Sequence, residues 1–291
     1  MPMTVTETNV PAADTNPVVC PVCKSPAAFA YSHPEADIYR CQACTHAFSD
    51  QKSLRRFEEY SAEYYDAAHK NWFENPNFSL FEWIERQIPL TAASVIDVGC
   101  GRGQFLDYLR QKRPSLRLVG VDLSTNSDRD GIQFLCGDVL EFRLDPFDAV
   151  ISLATIEHVP DPVTFASSLH DLCNPGGVAF VMTLDDGSLL YRASRAARMF
   201  GISVAFDRLY SSHHLQHFTH RSLVSLLENA GFQVRRSHHH SVPLKALDLP
   251  VSPLARPVFL AAVGLLFAAG DLTRLSYLQT IMAVRPAAQK D

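Results

Sequence analysis

DVGCGRG, residues 97–103, lies between a β-branched strand end, VI, and an amphipathic helix start, QFLDYL. Glycines at a strand-to-helix turn let bare backbone approach a ligand, and the first helical N–H groups point outward to meet it. The segment therefore predicts a nucleoside-binding turn built on Gly99, Gly101 and Gly103. LRLVGVDLS, residues 116–124, reads as a second buried strand. Its terminal acid, Asp122, lies nineteen residues past Gly103, where a ribose-binding carboxylate belongs in a nucleotide fold. The glycines run GxGxG and so depart from the dinucleotide fingerprint GxGxxG.

Further elements follow from pattern. Residues 103–113 predict a helix ended by Pro114, 132–135 a third strand and 148–153 a fourth. Residues 162–173 predict a helix stopped by Asn174-Pro175-Gly176-Gly177. Alternating strands and helices imply an α/β fold with a parallel sheet covered on both faces, and Gly99, Asp122, Asp138 and Leu153 fall at the carboxyl ends where ligands bind. Five motifs in order then resemble the class I S-adenosylmethionine-dependent methyltransferases. They are VIDVGCGRG, VGVDLS, FLCGDVLEF (134–142), FDAVISLATIEHVPDP (147–162) and LCNPGGVAFVMTLD (172–185), and the resemblance runs over about residues 94–286. It implies a Rossmann-like seven-stranded sheet and S-adenosylmethionine as methyl donor. By the same resemblance Asp97 orients the glycine turn and reaches the cofactor's amino group through water. Asp122, followed by Leu123, takes the ribose hydroxyls; Asp138 and Val139 meet adenine; Leu153 and Ala154 lie along the methionine arm.

With 291 residues and 47% hydrophobic content the chain can bury one α/β core and a small appendage. A net charge of −5 without a long basic run argues against a nucleic-acid partner and for small molecules, and the resemblance widens the expected acceptor to a small molecule, a glycan or a lipid-linked precursor. Residues 1–18 lack the basic and apolar regions of a signal peptide and read as a disordered leader. No apolar run reaches the roughly 18 residues of a spanning helix, and the cysteine usage suits a reducing compartment, so a cytoplasmic location is expected.

CPVC (Cys20, Cys23) and CQAC (Cys41, Cys44) have seventeen residues between them, the spacing of a structural four-thiolate Zn²⁺ ribbon over residues 19–50, with a redox dithiol or unrelated thiols as the alternatives. The intervening residues predict a two-stranded hairpin. Cys100, Cys136 and Cys173 read as small buried hydrophobes. Relatives with such a ribbon carry an aromatic EYY-like segment, here within residues 58–72. The resemblance places Tyr60, Tyr64 and Tyr65 in a helical cap, residues 51–90, over the cofactor's methionine end; ordinary packing of helix on sheet is the alternative. The core is then residues 91–291.

Methyl transfer to a hydroxyl needs alignment and removal of a proton, for which histidine is the matched side chain near neutrality. Seven of the twelve histidines lie between His213 and His240. Thr219 reads as a helix N-cap, Leu223, Val224, Leu227 and Ala230 as a buried face, and Gly231 as the C-cap. His213, His214 and His217 then enter that helix from a loop, with His217 the first choice for general base. His158 is second, with Glu157 orienting it or binding a divalent ion. Ubiquinone-type O-methyltransferases have a similar EHVPDP segment, but Ala154-Thr155 stand where a further carboxylate would help, which weakens the case for Mg²⁺. His238, His239 and His240 read as solvated strand-end residues.

An O-methyltransferase of a biosynthetic pathway is the resulting expectation. An rRNA guanine methyltransferase with a zinc module, a C- or N-methyltransferase of a natural product, and a non-enzymatic scaffold with a docking ribbon remain alternatives. Residues 241–276 separate two strands that usually form a hairpin, and VFLAAVGLLFAAG, residues 258–270, is apolar almost all round. It predicts a helix serving a homodimer interface, a lid, or a membrane contact.

Overall fold

A computed structural model describes residues 17–55, 70–124, 127–129, 131–247 and 254–287. Most of the leader, and Tyr60, Tyr64 and Tyr65 of the proposed cap, lie outside these residues.

Seven strands form the main sheet among the described residues: β4 (Ser94–Val98), β5 (Arg117–Asp122), β6 (Ile132–Cys136), β7 (Phe147–Leu153), β8 (Cys173–Leu184), β10 (Gln233–His240) and β11 (Leu278–Val284). Their order is β10-β11-β8-β7-β4-β5-β6. Strands β4 to β8 pair in parallel, whereas β11 is antiparallel to both β8 and β10. Every residue of β4 is buried, because helices cover both faces of a parallel sheet. The helices α2 (Phe78–Glu85), α3 (Gln104–Lys112), α4 (Pro162–Asp171) and α7 (His220–Asn229) present apolar stripes to this sheet or to one another.

The N-terminal region folds as β1 (Ala27–Ser32), β2 (Asp37–Cys41) and β3 (Ala47–Ser49), with β1 and β2 the expected hairpin. A fourth strand comes from far along the chain: β9 (Gln216–His217) pairs with β3 through Ala47↔His217 and Phe48↔Gln216. Buried charge reinforces the junction. Arg40 and Arg195 both donate to the Asp186 carboxylate, at 2.8 and 3.1 Å, and Tyr210 donates its hydroxyl to the same group. The two guanidiniums hold Asp186 below the usual carboxylate range against the cost of its burial.

Several local expectations are corrected. Helix α4 ends at Asp171, and Asn174–Gly177 are absorbed into β8 as an irregularity in its pairing with β7, where Asn174 donates to Asp148 at 2.9 Å. Thr219 caps α7 in a reciprocal box with Ser222, but Leu223, Leu226 and Leu227 form its buried face while Val224 is half-buried. Ala230 is the C-cap residue, and Gly231 follows it at φ +99°. Cys136 is exposed at the end of β6. His240 is buried and bonded to Thr280 at 2.9 Å, and His238 stacks on Trp83, so these two are packed groups and not solvated ones.

The segment before β11 contains α8 (Arg256–Thr273), preceded by helices α5 (Leu189–Met199) and α6 (Val204–Leu209) earlier in the chain. With 18 residues and a mean hydropathy of 1.4, α8 exceeds the apolar length read from the sequence and is long and apolar enough to cross a membrane by composition. It lies in the connection between two paired strands, since His240 of β10 pairs with Leu278 of β11.

Candidate active site

A cavity of about 930 Å³ opens beyond the carboxyl ends of β4, β5 and β7. One wall contains Asp97, Gly99, Gly101, Asp122, Leu123, Asp138, Val139, Leu153 and Ala154, which is most of the cofactor set expected from sequence. Gly103 is not among the lining residues, and Tyr65 lies outside the described residues.

Asp122 holds the glycine turn. Asp122 Oδ2 accepts from Gly101 N–H at 2.8 Å, and Oδ1 accepts from the Ser124 N–H and hydroxyl at 2.8 and 2.6 Å. Gly99 has φ +74°, and a Cβ there would lie 2.1 Å from Thr155 Oγ1, so glycine is needed to let the turn pack on the segment after β7 as well as to bare the backbone. Asp97 is buried with no hydrogen-bond partner on Oδ1. Burial, aided by the charge of Asp122, pushes its pKa from 3.8 up to about 8. A buried carboxyl with an unpartnered oxygen, on a residue that lines the cavity, fits a ligand that brings a donor, as an amino acid's ammonium does.

The lining also includes many apolar side chains, among them Phe81, Leu190, Val204, Leu209, Phe259 and Val263. Glu157, His158 and His214 also line the cavity. His158 Nδ1 donates to the His213 carbonyl at 2.6 Å and His214 Nδ1 donates to the Leu209 carbonyl at 3.1 Å, the rings lying 5.1 Å apart. A carbonyl can only accept, so in both rings Nδ1 carries a proton. Desolvation lowers the His158 pKa to about 4 and keeps it neutral at physiological pH. Glu157 accepts from Thr183 at 2.8 Å, and burial raises its pKa to about 7.

His217 is placed elsewhere. It sits in β9, 2% exposed, with its ring 4.5 Å from that of Tyr210, neither nitrogen partnered, and outside the cavity wall. Its neighbour Gln216 has the connecting role: its N–H donates to the Glu157 carbonyl at 2.9 Å, its Nε2 to the Val159 carbonyl at 3.0 Å, and its Oε1 pairs with His46 at 2.9 Å. The N-terminal sheet thus braces the turn that carries Glu157 and His158. Neither Gln216 nor Asp186 shows a motif in sequence: the partners of Gln216 lie more than fifty residues away, and Asp186 joins Arg40, 146 positions before it, to Arg195 and Tyr210 at spacings that form no pattern.

The sulfurs of Cys20, Cys23, Cys41 and Cys44 lie within 4.8 Å of one another, with Cys20–Cys44 at 3.6 Å and Cys23–Cys41 at 3.4 Å. A tetrahedral Zn²⁺ with bonds of about 2.3 Å separates its sulfurs by roughly 3.8 Å, so the cluster fits that ion. His46 is engaged with Gln216 and is not a fifth candidate.

Comparison with known proteins agrees with this geometry. The family model described as a methyltransferase domain matches residues 68–237. Ubiquinone biosynthesis O-methyltransferase of Xylella fastidiosa (strain 9a5c) is 32% identical over 117 residues, 36% of this chain and 47% of that protein. The protein of the same name from Coxiella burnetii (strain Dugway 5J108-111) is 27% identical over 67% of this chain and 88% of its own length. The chain thus spans about half the length of the first of these relatives and most of the second. Among solved structures, a complex of the Haloferax volcanii Trm112 methyltransferase activator with a methyltransferase aligns at TM-score 0.54 and 17% identity, covering 79% of this chain and 99% of the other. Phosphoethanolamine N-methyltransferase 2 of Haemonchus contortus, solved with S-adenosyl-L-methionine, aligns at 0.54 and 18%, covering 77% and 58%. At such identities these likenesses speak to the fold. The family match over 68–237, more than half of the 291 residues, joins the glycine turn and the seven-stranded sheet in one conclusion: the chain belongs to the class I S-adenosylmethionine-dependent methyltransferases.

Proposed function

We propose that the enzyme methylates a hydroxyl oxygen of a small biosynthetic acceptor, with His158 as general base. The observation that carries this reading is that His158 stands on the cavity wall with its ring oriented by an Nδ1–H bond to the His213 carbonyl at 2.6 Å. The names of the O-methyltransferase relatives support the choice of oxygen. In the reaction the acceptor oxygen attacks the methyl carbon in line as the carbon–sulfur bond breaks, and its proton passes to His158 Nε2. A methyl ether and S-adenosylhomocysteine result. Alignment in the cavity supplies most of the acceleration, and proton removal a further 100-fold or so.

In this reading Asp122 receives the ribose hydroxyls, Asp138 and Val139 border adenine, Leu153 and Ala154 follow the methionine arm, and Asp97 faces the ammonium. The four cysteines hold a structural Zn²⁺. His214 flanks His158, and His217, the first sequence choice for base, is a buried packing residue. Incubation with labelled donor and fractionated cell extract identifies the acceptor class. On that acceptor, His158→Ala is expected to lower kcat about 100-fold with donor affinity unchanged. A fully active variant, or label found on nitrogen or carbon, overturns the reading.

A further inference from the structure

Helix α8 is built into a connection that a short hairpin could have closed, and its residues divide between two environments. Phe259 and Val263 line the catalytic cavity, and Phe267 and Gly270 are buried. Val258, Leu265 and Leu272 are 70%, 74% and 86% exposed. Their seven-residue spacing puts them on one side of the helix, and the exposed Ala261, Ala262, Ala268 and Ala269 fill the gaps, so an apolar stripe runs the length of α8. Only 11% of the helix is buried. The α5–α6 turn adds exposed Met199, Phe200 and Ile202; α5 packs on α8, and Val204 lines the same cavity as Phe259. A continuous apolar stripe along a whole helix, as opposed to singly scattered apolar residues, is the pattern of an interaction surface.

Size and charge select the occupant. From Val258 to Leu272 the stripe is about 21 Å long at 1.5 Å per residue, and with a helix width of about 10 Å it covers roughly 200 Å². A stable protein pair buries about 800 Å² on each partner, so a second copy seated on α8 alone falls well short. Exposed arginines close both ends, Arg256 in the first turn and Arg274 at the C-cap, while Asp271 is turned to a bond with the Ser241 hydroxyl at 2.8 Å. A bilayer accepts small and aliphatic side chains at its acyl boundary without shape complementarity, and its anionic headgroups attract arginine. Because α8 joins two neighbouring strands of one sheet, it is held along the domain surface and not across a membrane.

We propose that the outer face of α8 seats this enzyme on an anionic membrane surface. The inner face of the same helix then places the apolar side of the catalytic cavity next to the lipid. The test is co-sedimentation of the full chain with vesicles of phosphatidylcholine containing phosphatidylglycerol, against vesicles of phosphatidylcholine alone. Wild type is expected in the pellet with the anionic vesicles. Leu265→Asp combined with Leu272→Asp is expected to weaken this partitioning by about 100-fold, with donor affinity in solution unchanged as the measure of an intact fold. Arg256→Gln with Arg274→Gln is expected to reduce the preference for anionic vesicles by about tenfold. Wild type left in the supernatant overturns the proposal, as does a double aspartate variant that sediments like wild type. Light scattering that finds a wild-type dimer split by the same aspartates overturns it in favour of a second copy.

Discussion

Asp97 offers the sharpest test of how the donor is held. Its carboxyl is buried at the end of β4, Oδ1 has no partner, and its pKa stands at about 8 against an ordinary 3.8. A raised folded-state pKa means that Asp97 contributes stability in full below pH 3.8, and that this contribution is lost as pH rises toward about 8. At one pKa unit per 1.36 kcal/mol the shift corresponds to several kcal/mol. A ligand ammonium reverses the preference, since the carboxylate binds it and the neutral acid does not. Donor binding should therefore expel about one proton, and Kd should fall roughly tenfold per pH unit between about pH 6 and pH 7. Isothermal calorimetry in buffers of different ionisation enthalpy counts that proton directly. Asp97→Asn should abolish the proton release, flatten the pH dependence and weaken binding, yet unfold at higher urea than wild type near pH 8. A wild-type Kd that is flat from pH 6 to pH 7 with no proton released, or an asparagine variant that keeps the slope, would refute the reasoning.

Two further outcomes follow from the junction between the sheets. Purified protein should hold one zinc per chain, and Cys20→Ser with Cys41→Ser should remove it and lower the urea midpoint, because β3 then no longer braces β9; metal analysis showing retained zinc contradicts the assignment. His217, lowered from 6.5 to about 3 by burial, contributes stability that is complete above pH 6.5 and lost as pH falls toward 3. His217→Phe keeps the ring packed on Tyr210 and removes the titration, so the loss of stability between pH 7 and pH 5 should shrink by about 2 kcal/mol in paired urea melts; an unchanged loss rejects a neutral buried imidazole.

Features governed by backbone constraints within a few residues were legible in the chain. The turn at 97–103 needs residues tolerant of positive φ, paired CxxC turns aim thiolates at one point, and alternation of strand and helix patterns implies a parallel sheet. Asp122 could be placed by its distance from the glycines alone, although its clamp on Gly101 and Ser124 could not. The histidines show where such reading stops. His158 and His217 look equally suited to base chemistry as residues, but the pairing of β9 with β3, 170 positions apart at Ala47↔His217, draws one into a dry junction and leaves the other on the cavity wall. Which nitrogen of His158 bears the proton is set by the His213 carbonyl, and what Asp186 does is set by Arg40 from the N-terminal sheet. The same holds for α8, whose composition announced an apolar helix but whose 11% burial depends on how little of the fold packs against it. Local sequence determined the glycine turn, the cysteine cluster and the class of sheet, because their energetics are short-range. Burial, protonation and exposure were decided only by tertiary structure, because each depends on desolvation by groups that the chain brings together from far apart.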